Sequence, residues 1–301
     1  MTSITVRAHA KINLTLDVFN KRADGYHSLA SIMQTISLHD TLRIELSEAS
    51  AISLTCDGQH AGGVPCDETN LVIRAARAVL DAAHLDTGLS IHLHKSIPSQ
   101  AGLGGGSSDA AAALLGVTAL LALDIGPKLL HNLAAELGSD VPFFLSGGTA
   151  VVRGRGENIR PVADAPPLWL VVVKPDAAVP TGWAYQALDG LEDRSSFRAT
   201  RMLEEAIRDG DTDRMITLQC NDFEVPVFQH MPQLAWLRDE LQMAGAMAAH
   251  LCGSGAALYG VASSETSAQK IAGLLRARYP YTYIARTLSR VEANPLREFT
   301  T

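Results

Sequence analysis

The most constraining feature of this chain is a glycine-rich segment, Pro98-Ser99-Gln100-Ala101-Gly102-Leu103-Gly104-Gly105-Gly106-Ser107-Ser108-Asp109, set between two stretches of different periodicity. Before it, Leu89 to Lys95 alternates apolar and polar residues as a strand does. After it, Ala110 to Leu123 is almost wholly apolar, the pattern of a buried helix, and falls short of the roughly 20 residues that would cross a bilayer. Glycines between a strand and a helix allow a tight turn and leave the first helical N–H groups unpaired. Those groups, the helix dipole and the hydroxyls of Ser107 and Ser108 together suit phosphate oxygens. A flexible loop with a serine cap is the usual reading of such a stretch. The strand and helix on either side favour a phosphate cradle.

Two other phosphate motifs are excluded by position. A P-loop needs glycine immediately before lysine, and each of the six lysines follows Ala10, Asn20, His94, Pro127, Val173 or Gln269. The dinucleotide fingerprint would need glycine at 107 after Gly102 and Gly104, and Ser107 stands there.

Composition narrows the partners. With 47% hydrophobic and 19% charged residues among 301, the chain can bury a core, and its length suggests two units with a cleft between them. Lys+Arg 25 against Asp+Glu 32 gives a net charge of -7, which argues against a nucleic-acid surface or an anionic-membrane anchor. An anionic substrate must be met locally. The four cysteines, Cys56, Cys66, Cys220 and Cys252, show no zinc-ligand spacing, and their scatter fits a reducing, cytoplasmic setting. The opening segment lacks the continuous apolar run of a signal peptide. Oligomeric state is not legible.

Local signals give an α+β order. Ile4 to Phe19 alternates as a strand into an Asp24-Gly25 turn, and Thr41 to Ser47 returns with Leu42, Ile44 and Leu46 on one face. Asn70 caps a helix carrying Leu71, Val72, Ala75, Ala76, Val79 and Leu80; a further helix runs from Pro127 to Leu137, stopped at Gly138. The prolines between Pro161 and Pro167 read as a linker before the apolar run Leu168 to Val173. Thr200 to Arg208, Asp211 to Cys220, Pro232 to Met243 and Ser264 to Arg278 read as helices, Ala256 to Val261 as a strand, and the tail after Pro295 as frayed. His92 and His94 share a strand face without a third ligand at usable spacing, so an exposed face is expected rather than a metal pair.

Pro98 to Ser108 resembles the ATP-binding signature of the GHMP kinases. Three more segments sharpen the likeness: Ala10-Lys11-Ile12-Asn13-Leu14, Arg22-Ala23-Asp24-Gly25-Tyr26-His27, and Leu137-Gly138-Ser139-Asp140-Val141-Pro142. Asn221-Asp222-Phe223-Glu224 and Gly253-Ser254-Gly255-Ala256 are similar to that family's second domain, so the resemblance spans almost the whole chain. It implies a two-domain GHMP kinase-like α+β fold: an ATP-binding and catalytic domain over 1–160, a C-terminal domain over 161–301, and the active site in the cleft between them.

The resemblance also implies roles. Asp140 takes the proton from an acceptor hydroxyl, and Lys11 orients it beside the γ-phosphate. Pro98 to Ser108 cradle ATP, with Asn70 and Lys95 as secondary contacts. Asn13, Tyr26, His27, Thr181 and Tyr185 form the acceptor pocket, in which the two tyrosines wall a cytosine. Within the superfamily this matches the branch whose small-molecule acceptor carries a cytidine diphosphate group, on the way to isoprenoid precursors. The rival acceptors are homoserine, mevalonate or a sugar. A kinase using ATP implies Mg²⁺, whose protein ligands the sequence leaves unknown because Gly105 and Gly106 stand where some relatives carry serine. Each residue also has a plainer reading: Asp140 as a turn cap, Lys11 as a solvated strand residue, Asn70 as a helix cap, Lys95 as an exposed strand end and Tyr185 as core or rim.

Overall fold

A computed structural model describes residues 2–190 and 198–296. β1 (Ser3–Lys21) and β2 (His27–Ser47) form a long antiparallel hairpin, turned at Asp24-Gly25 where Gly25 takes φ +84°. β3 (Ile52–Asp57) and β4 (Gly88–His94) run parallel, joined by α1 (Leu71–Ala82). Next come α2 (Gly105–Leu120), α3 (Pro127–Leu137), the four-residue α4 (Val141–Phe144), β5 (Thr149–Gly154) and β6 (Asn158–Pro161). The second half holds β7 (Trp169–Val173), α5 (Thr181–Asp189), α6 (Arg198–Asp209), α7 (Thr212–Thr217), β8 (Cys220–Asn221), α8 (Glu224–His230), α9 (Pro232–Met243), β9 (Ala248–Leu251), β10 (Leu258–Ala262), α10 (Glu265–Leu275) and β11 (Thr282–Arg286).

Two sheets result. The larger has seven strands in the order β3-β4-β2-β1-β8, with β5 on the first half of β2 and β6 beyond it; the smaller is antiparallel in the order β11-β7-β10-β9. The expected boundary at 161–167 starts on the last residue of β6 in the first sheet and ends before β7 of the second. The halves are nevertheless interlocked, because β8 comes back to pair with β1 at Thr15–Cys220 and Leu16–Asn221, and a bridge joins Ile36 to Thr287.

Two apolar cores follow from which way β1 points. Ile4, Val6 and Ala8 pack under α2 in the first core; Ala10, Ile12 and Leu14 enter a second core with Leu170, Val172 and Tyr259 of the smaller sheet; Leu16 and Val18 return to the first. The pairing with β2 slips between His9 and Lys11 and again between Asn13 and Thr15, and each slip reverses the facing of the strand. α2 is buried nearly all round by alanines, and a Cβ on Gly116 would stand 2.7 Å from Ile44 Cδ1, so small residues let the helix lie close to the sheet.

Several expectations change. β2 begins at His27, well before Thr41, because its first half is covered on both faces and buries Ser31, Gln34 and Thr35, which hides the alternation. Leu46, next to the strand's end, is 42% exposed instead of sharing the buried face of Leu42 and Ile44. The helix expected over Asp211 to Cys220 is only α7, and Cys220 belongs to β8 through its pairing with β1. Ser139 to Pro142 does not simply leave α3 but starts α4. The tail from residue 297 onward lies outside the described residues.

Candidate active site

The glycine-rich segment turns through left-handed backbone at Gly102 (φ +75°) and Gly104 (φ +71°), and Gly104 is the residue before α2. Side chains are excluded there for different reasons. A Cβ on Gly102 would lie 1.7 Å from the Cys252 carbonyl oxygen, and one on Gly104 2.8 Å from the Phe144 ring and 3.1 Å from Lys11 Cγ. Ser108 N–H is the first amide of α2 to bond back, to the Gly104 carbonyl at 2.9 Å, which leaves the N–H groups of Gly105, Gly106 and Ser107 at the helix start. They border a cavity of about 330 Å³ lined by Leu71, Lys95, Ile97 and Pro98 to Ser107.

Three residues assigned to this cradle stand differently in the structure. Ser108 is buried, and its hydroxyl donates to the His9 carbonyl at 2.7 Å, so it ties α2 to β1 rather than facing the cavity. Asn70 caps α1, accepting from Val72 N–H at 2.8 Å and donating to the Pro65 carbonyl at 2.6 Å; its neighbour Leu71, not Asn70, reaches the cavity. Lys95 does line the cavity, but its ammonium is buried between Asp109, at 2.7 Å, and Asp40. The Asp40 carboxylate also accepts from the amides of Ser96 and Ile97 at 2.6 and 2.8 Å. Lys95 is therefore neither a free phosphate ligand nor an exposed strand end.

Between the two slips in β1, Lys11 and Asn13 point away from the second core into a cavity of about 210 Å³. Lys11 is 4% exposed; its Nζ donates to Asn13 Oδ1 at 2.8 Å and lies 3.8 Å from Asp140 Oδ2. Asn13 in turn donates to Ser31 Oγ at 2.8 Å, and Ser31 to the Thr15 carbonyl at 2.5 Å, so a chain of hydrogen bonds fixes the lysine. Asp140 precedes α4 but its side chain makes no capping bond, which leaves the carboxylate turned to the cavity and about a third exposed.

A third cavity, of about 480 Å³, opens beyond Asp140 and is lined by Lys21, Tyr26, His27, Arg155, Thr181, Tyr185 and Asp189 among others. Tyr26 is 58% exposed, with the Arg155 guanidinium 5.0 Å from its ring centre. His27 stacks on Tyr185 at 5.0 Å and 21°, and its Nε2 meets Asp189 Oδ1 at 2.8 Å. One face of Tyr185 is thus covered by His27, and its ring stands at 90° to that of Phe223, with the centres 4.9 Å apart. Burial, and secondarily the Asp140 charge, push the Tyr185 phenol up to about 12, so it stays neutral. Thr181 Oγ1 lies 3.1 Å from Ser254 Oγ and touches both this cavity and the central one.

The three cavities adjoin through shared walls. The central one shares Gly102 and Gly104 with the glycine-rich side, and Asp140, Thr181 and Tyr185 with the aromatic side. A carboxylate and an ammonium thus stand between an anion cradle and a wide polar-aromatic pocket. That arrangement suits transfer of an anionic group to a hydroxyl held at the carboxylate.

Sequence reasoning missed Arg155 and Asp189, which only tertiary folding brings in, and did not single out Phe223, Gly253 and Ser254 individually. The motifs around the last three were visible. Asn221 Nδ2 donates to the carbonyls of Leu251 and Gly253 at 2.9 and 2.7 Å, holding the second half's glycine loop against Gly102. Elsewhere, His92 and His94 are exposed and lie 3.3 and 2.7 Å from Asp57 of the neighbouring strand. Among the described residues no group of three or more His, Cys, Asp or Glu could hold a metal ion, and no helix is long and apolar enough to cross a membrane.

Known proteins resemble this chain in sequence and fold. Residues 70–148 match the GHMP kinase N-terminal domain, and residues 202–280 the GHMP kinase C-terminal domain. A 4-diphosphocytidyl-2-C-methyl-D-erythritol kinase of Moorella thermoacetica is 42% identical over 291 residues, 96% of this chain and 100% of the relative. One from Geobacter metallireducens is 40% identical over 269 residues, 89% of this chain and 92% of the relative. A crystal structure of 4-(cytidine 5'-diphospho)-2C-methyl-D-erythritol kinase superposes with a TM-score of 0.80 at 36% identity, covering 94% of this chain and 99% of that one. Homoserine kinase from Cytophaga hutchinsonii shares the fold, with a TM-score of 0.77 at 21% identity over 96% of this chain and 95% of its own.

Proposed function

This chain belongs to the 4-diphosphocytidyl-2-C-methyl-D-erythritol kinases within the GHMP kinase family, and we propose that it moves the γ-phosphoryl group of ATP to the 2-hydroxyl of that cytidine-diphosphate-linked alcohol. The reaction is a step in non-mevalonate isoprenoid precursor synthesis. The observation that carries the reading is the Lys11–Asp140 pair, 3.8 Å apart, at the junction of cradle and aromatic pocket.

Each residue does a separable task. The unpaired N–H groups at the start of α2 hold phosphate oxygens without a side chain between them. Asp140 accepts the hydroxyl proton, since none of its own backbone competes for the carboxylate. Lys11, fixed by Asn13, keeps positive charge at the point where the phosphoryl oxygens and the ionising hydroxyl meet. The Asn13–Ser31–Thr15 chain limits the lysine to one position, which favours in-line placement over mere attraction.

Tyr26 and the stacked His27–Tyr185 pair are the walls proposed for the cytosine, with Arg155 and Lys21 supplying positive charge in the same cavity. Mg²⁺ would arrive on the nucleotide, held by phosphates and water, because the described residues offer no built metal cluster. The proposed setting is the cytoplasm. Competition binding tests the acceptor reading: CDP should compete with the substrate, UDP should compete poorly, and Tyr26→Ala or Tyr185→Ala should each lose ~1–3 kcal/mol of CDP binding with ATP binding unchanged. Equal competition by CDP and UDP would remove the cytosine pocket.

A further inference from the structure

The acceptor proposed above carries its diphosphate between the cytidine and the alcohol that reacts. The diphosphate is borne on carbon 4 of that alcohol and the reacting hydroxyl on carbon 2, so the anion comes close to Asp140 and to the incoming γ-phosphate. Like charges held that near one another repel unless a cation stands among them. Lys11 is already engaged by Asn13 and Asp140. In the aromatic cavity the charged or titratable side chains are Lys21, His27, Asp140, Arg155 and Asp189, apart from the phenols. His27 and Asp189 meet each other at 2.8 Å, whereas neither Lys21 nor Arg155 makes an ion pair among the described residues.

Position separates these two cations. Lys21 ends β1 opposite His27, at the base end of the cavity. Arg155 sits at the tip of the β5–β6 hairpin, between Gly154 at φ +78° and Gly156 at φ +122°. Gly156 packs at the other end, where a Cβ would stand 3.4 Å from Ser139 Cβ and 3.7 Å from Asp140 Oδ1. The Arg155 guanidinium lies 5.0 Å from the centre of the Tyr26 ring. Arg155 therefore reaches from the reacting carboxylate to the aromatic wall, the span that a diphosphate joining the two ends must occupy. The acid two residues on does not neutralise it: Glu157 Oε2 accepts from the Arg155 backbone N–H at 2.6 Å, and Gly156 N–H donates to the Arg153 carbonyl at 3.3 Å. These bonds fix the tip and leave the guanidinium N–H groups for a ligand.

We propose that Arg155 binds the diphosphate of the acceptor and makes the site select a cytidine diphosphate over cytidine or its monophosphate, a role that rests on the acceptor reading above. The planar guanidinium presents paired N–H groups that match two phosphate oxygens at once, which a lysine ammonium does not. The diphosphate is unchanged by the reaction, so its contact with Arg155 is the same in the bound substrate and in the transition state. Such a contact strengthens binding and leaves the rate of the bound complex alone.

The test is calorimetry of the full chain with cytidine, CMP and CDP, together with steady-state kinetics, on the parent, Arg155→Ala, Arg155→Lys and Lys21→Ala. Arg155→Ala should raise the CDP Kd and the acceptor KM about tenfold or more, while the cytidine Kd moves less than about twofold and kcat less than about threefold. The parent's preference for CDP over CMP should shrink with it. Arg155→Lys should recover part of the CDP affinity, and Lys21→Ala should weaken CDP less than Arg155→Ala does. An equal loss for cytidine and CDP would make Arg155 a support for Tyr26 and overturn the proposal. An unchanged CDP Kd in Arg155→Ala, or a larger loss in Lys21→Ala, would overturn it too. These results would leave the acceptor reading standing; a parent chain that binds neither cytidine nor CDP would sink both.

Discussion

Asp140 and Lys11 differ in what surrounds them, and that difference sets what a substitution does. Asp140 has about a third of its side chain exposed, so Asp140→Asn should keep the fold and ATP binding. The amide cannot take the proton, and kcat should fall roughly 10²–10⁴-fold. A kcat near that of the parent would remove Asp140 from the role of base. The glycines and serines of the cradle separate in the same way. Gly104→Val places a branched side chain at φ +71° against Phe144 and Lys11, a backbone strain of ~1–2 kcal/mol before any clash. ATP affinity should drop, measured by calorimetry, with acceptor binding less affected. Ser108→Ala loses only the bond to the His9 carbonyl, so it should cost ~0.5–1.5 kcal/mol of stability and leave ATP affinity alone. The reverse pattern would return Ser108 to the cradle. These outcomes were only partly legible beforehand. That glycine is needed at 102 and 104 follows from the local turn, but the partner of Ser108 lies in β1, and Lys95 is bound by Asp40 of β2 as well as by the nearer Asp109, contacts to distant strands that no window of sequence contains.

At the scale of elements, the strand-to-helix crossing at β4 and α2 is held from below by Asp40, Lys95 and Asp109, one ammonium between two buried carboxylates. Asp40 accepts two amides as well as the lysine, whereas Asp109 Oδ1 is buried without a partner. One proton on Asp109 makes the trio neutral. Burial, opposed by Lys95, lifts the Asp109 carboxyl from 3.8 to about 8. The folded chain then holds a proton that the unfolded chain releases near pH 4, so this group's stabilising contribution is complete below that and is lost as pH rises toward about 8. Asp109→Asn, neutral throughout, should flatten the fall of Tm across that window; a slope equal to the parent's would contradict the protonated carboxyl. Elements with local signatures were readable from sequence: α1 by its Asn70 cap, α3 by Pro127 and Gly138, and α10 by its amphipathic pattern from Ser264 onward. β8 was not. A two-residue strand has no periodicity, and Cys220 and Asn221 extend only because Thr15 and Leu16 of β1 lie beside them.

Over the whole molecule, the site exists because the halves are interlocked through β1. That strand gives Ala10, Ile12 and Leu14 to the core shared with the smaller sheet, and Lys11 and Asn13 to the cavity on the other side. Tyr259 of β10 closes the arrangement, its hydroxyl donating to the Asn13 carbonyl at 3.2 Å. The missing side chain at Gly102 lets the second half's glycine loop lie against the first half's cradle, so the central cavity takes walls from both. The order of the motifs foretold that a cleft would form, but not that Arg155 and Asp189 would share a pocket with Tyr26. The central claim is that this cleft joins ATP to a cytidine-diphosphate-linked alcohol, and it is tested most directly by the product. The purified chain should be given ATP with 4-diphosphocytidyl-2-C-methyl-D-erythritol, homoserine, mevalonate and simple sugars in parallel, and the phosphorylated species identified by mass and ³¹P NMR. The account predicts one new phosphomonoester, on the 2-hydroxyl of the cytidylyl compound, with the other acceptors left unchanged; phosphorylation of homoserine, mevalonate or a sugar while the cytidylyl compound stays intact would contradict it.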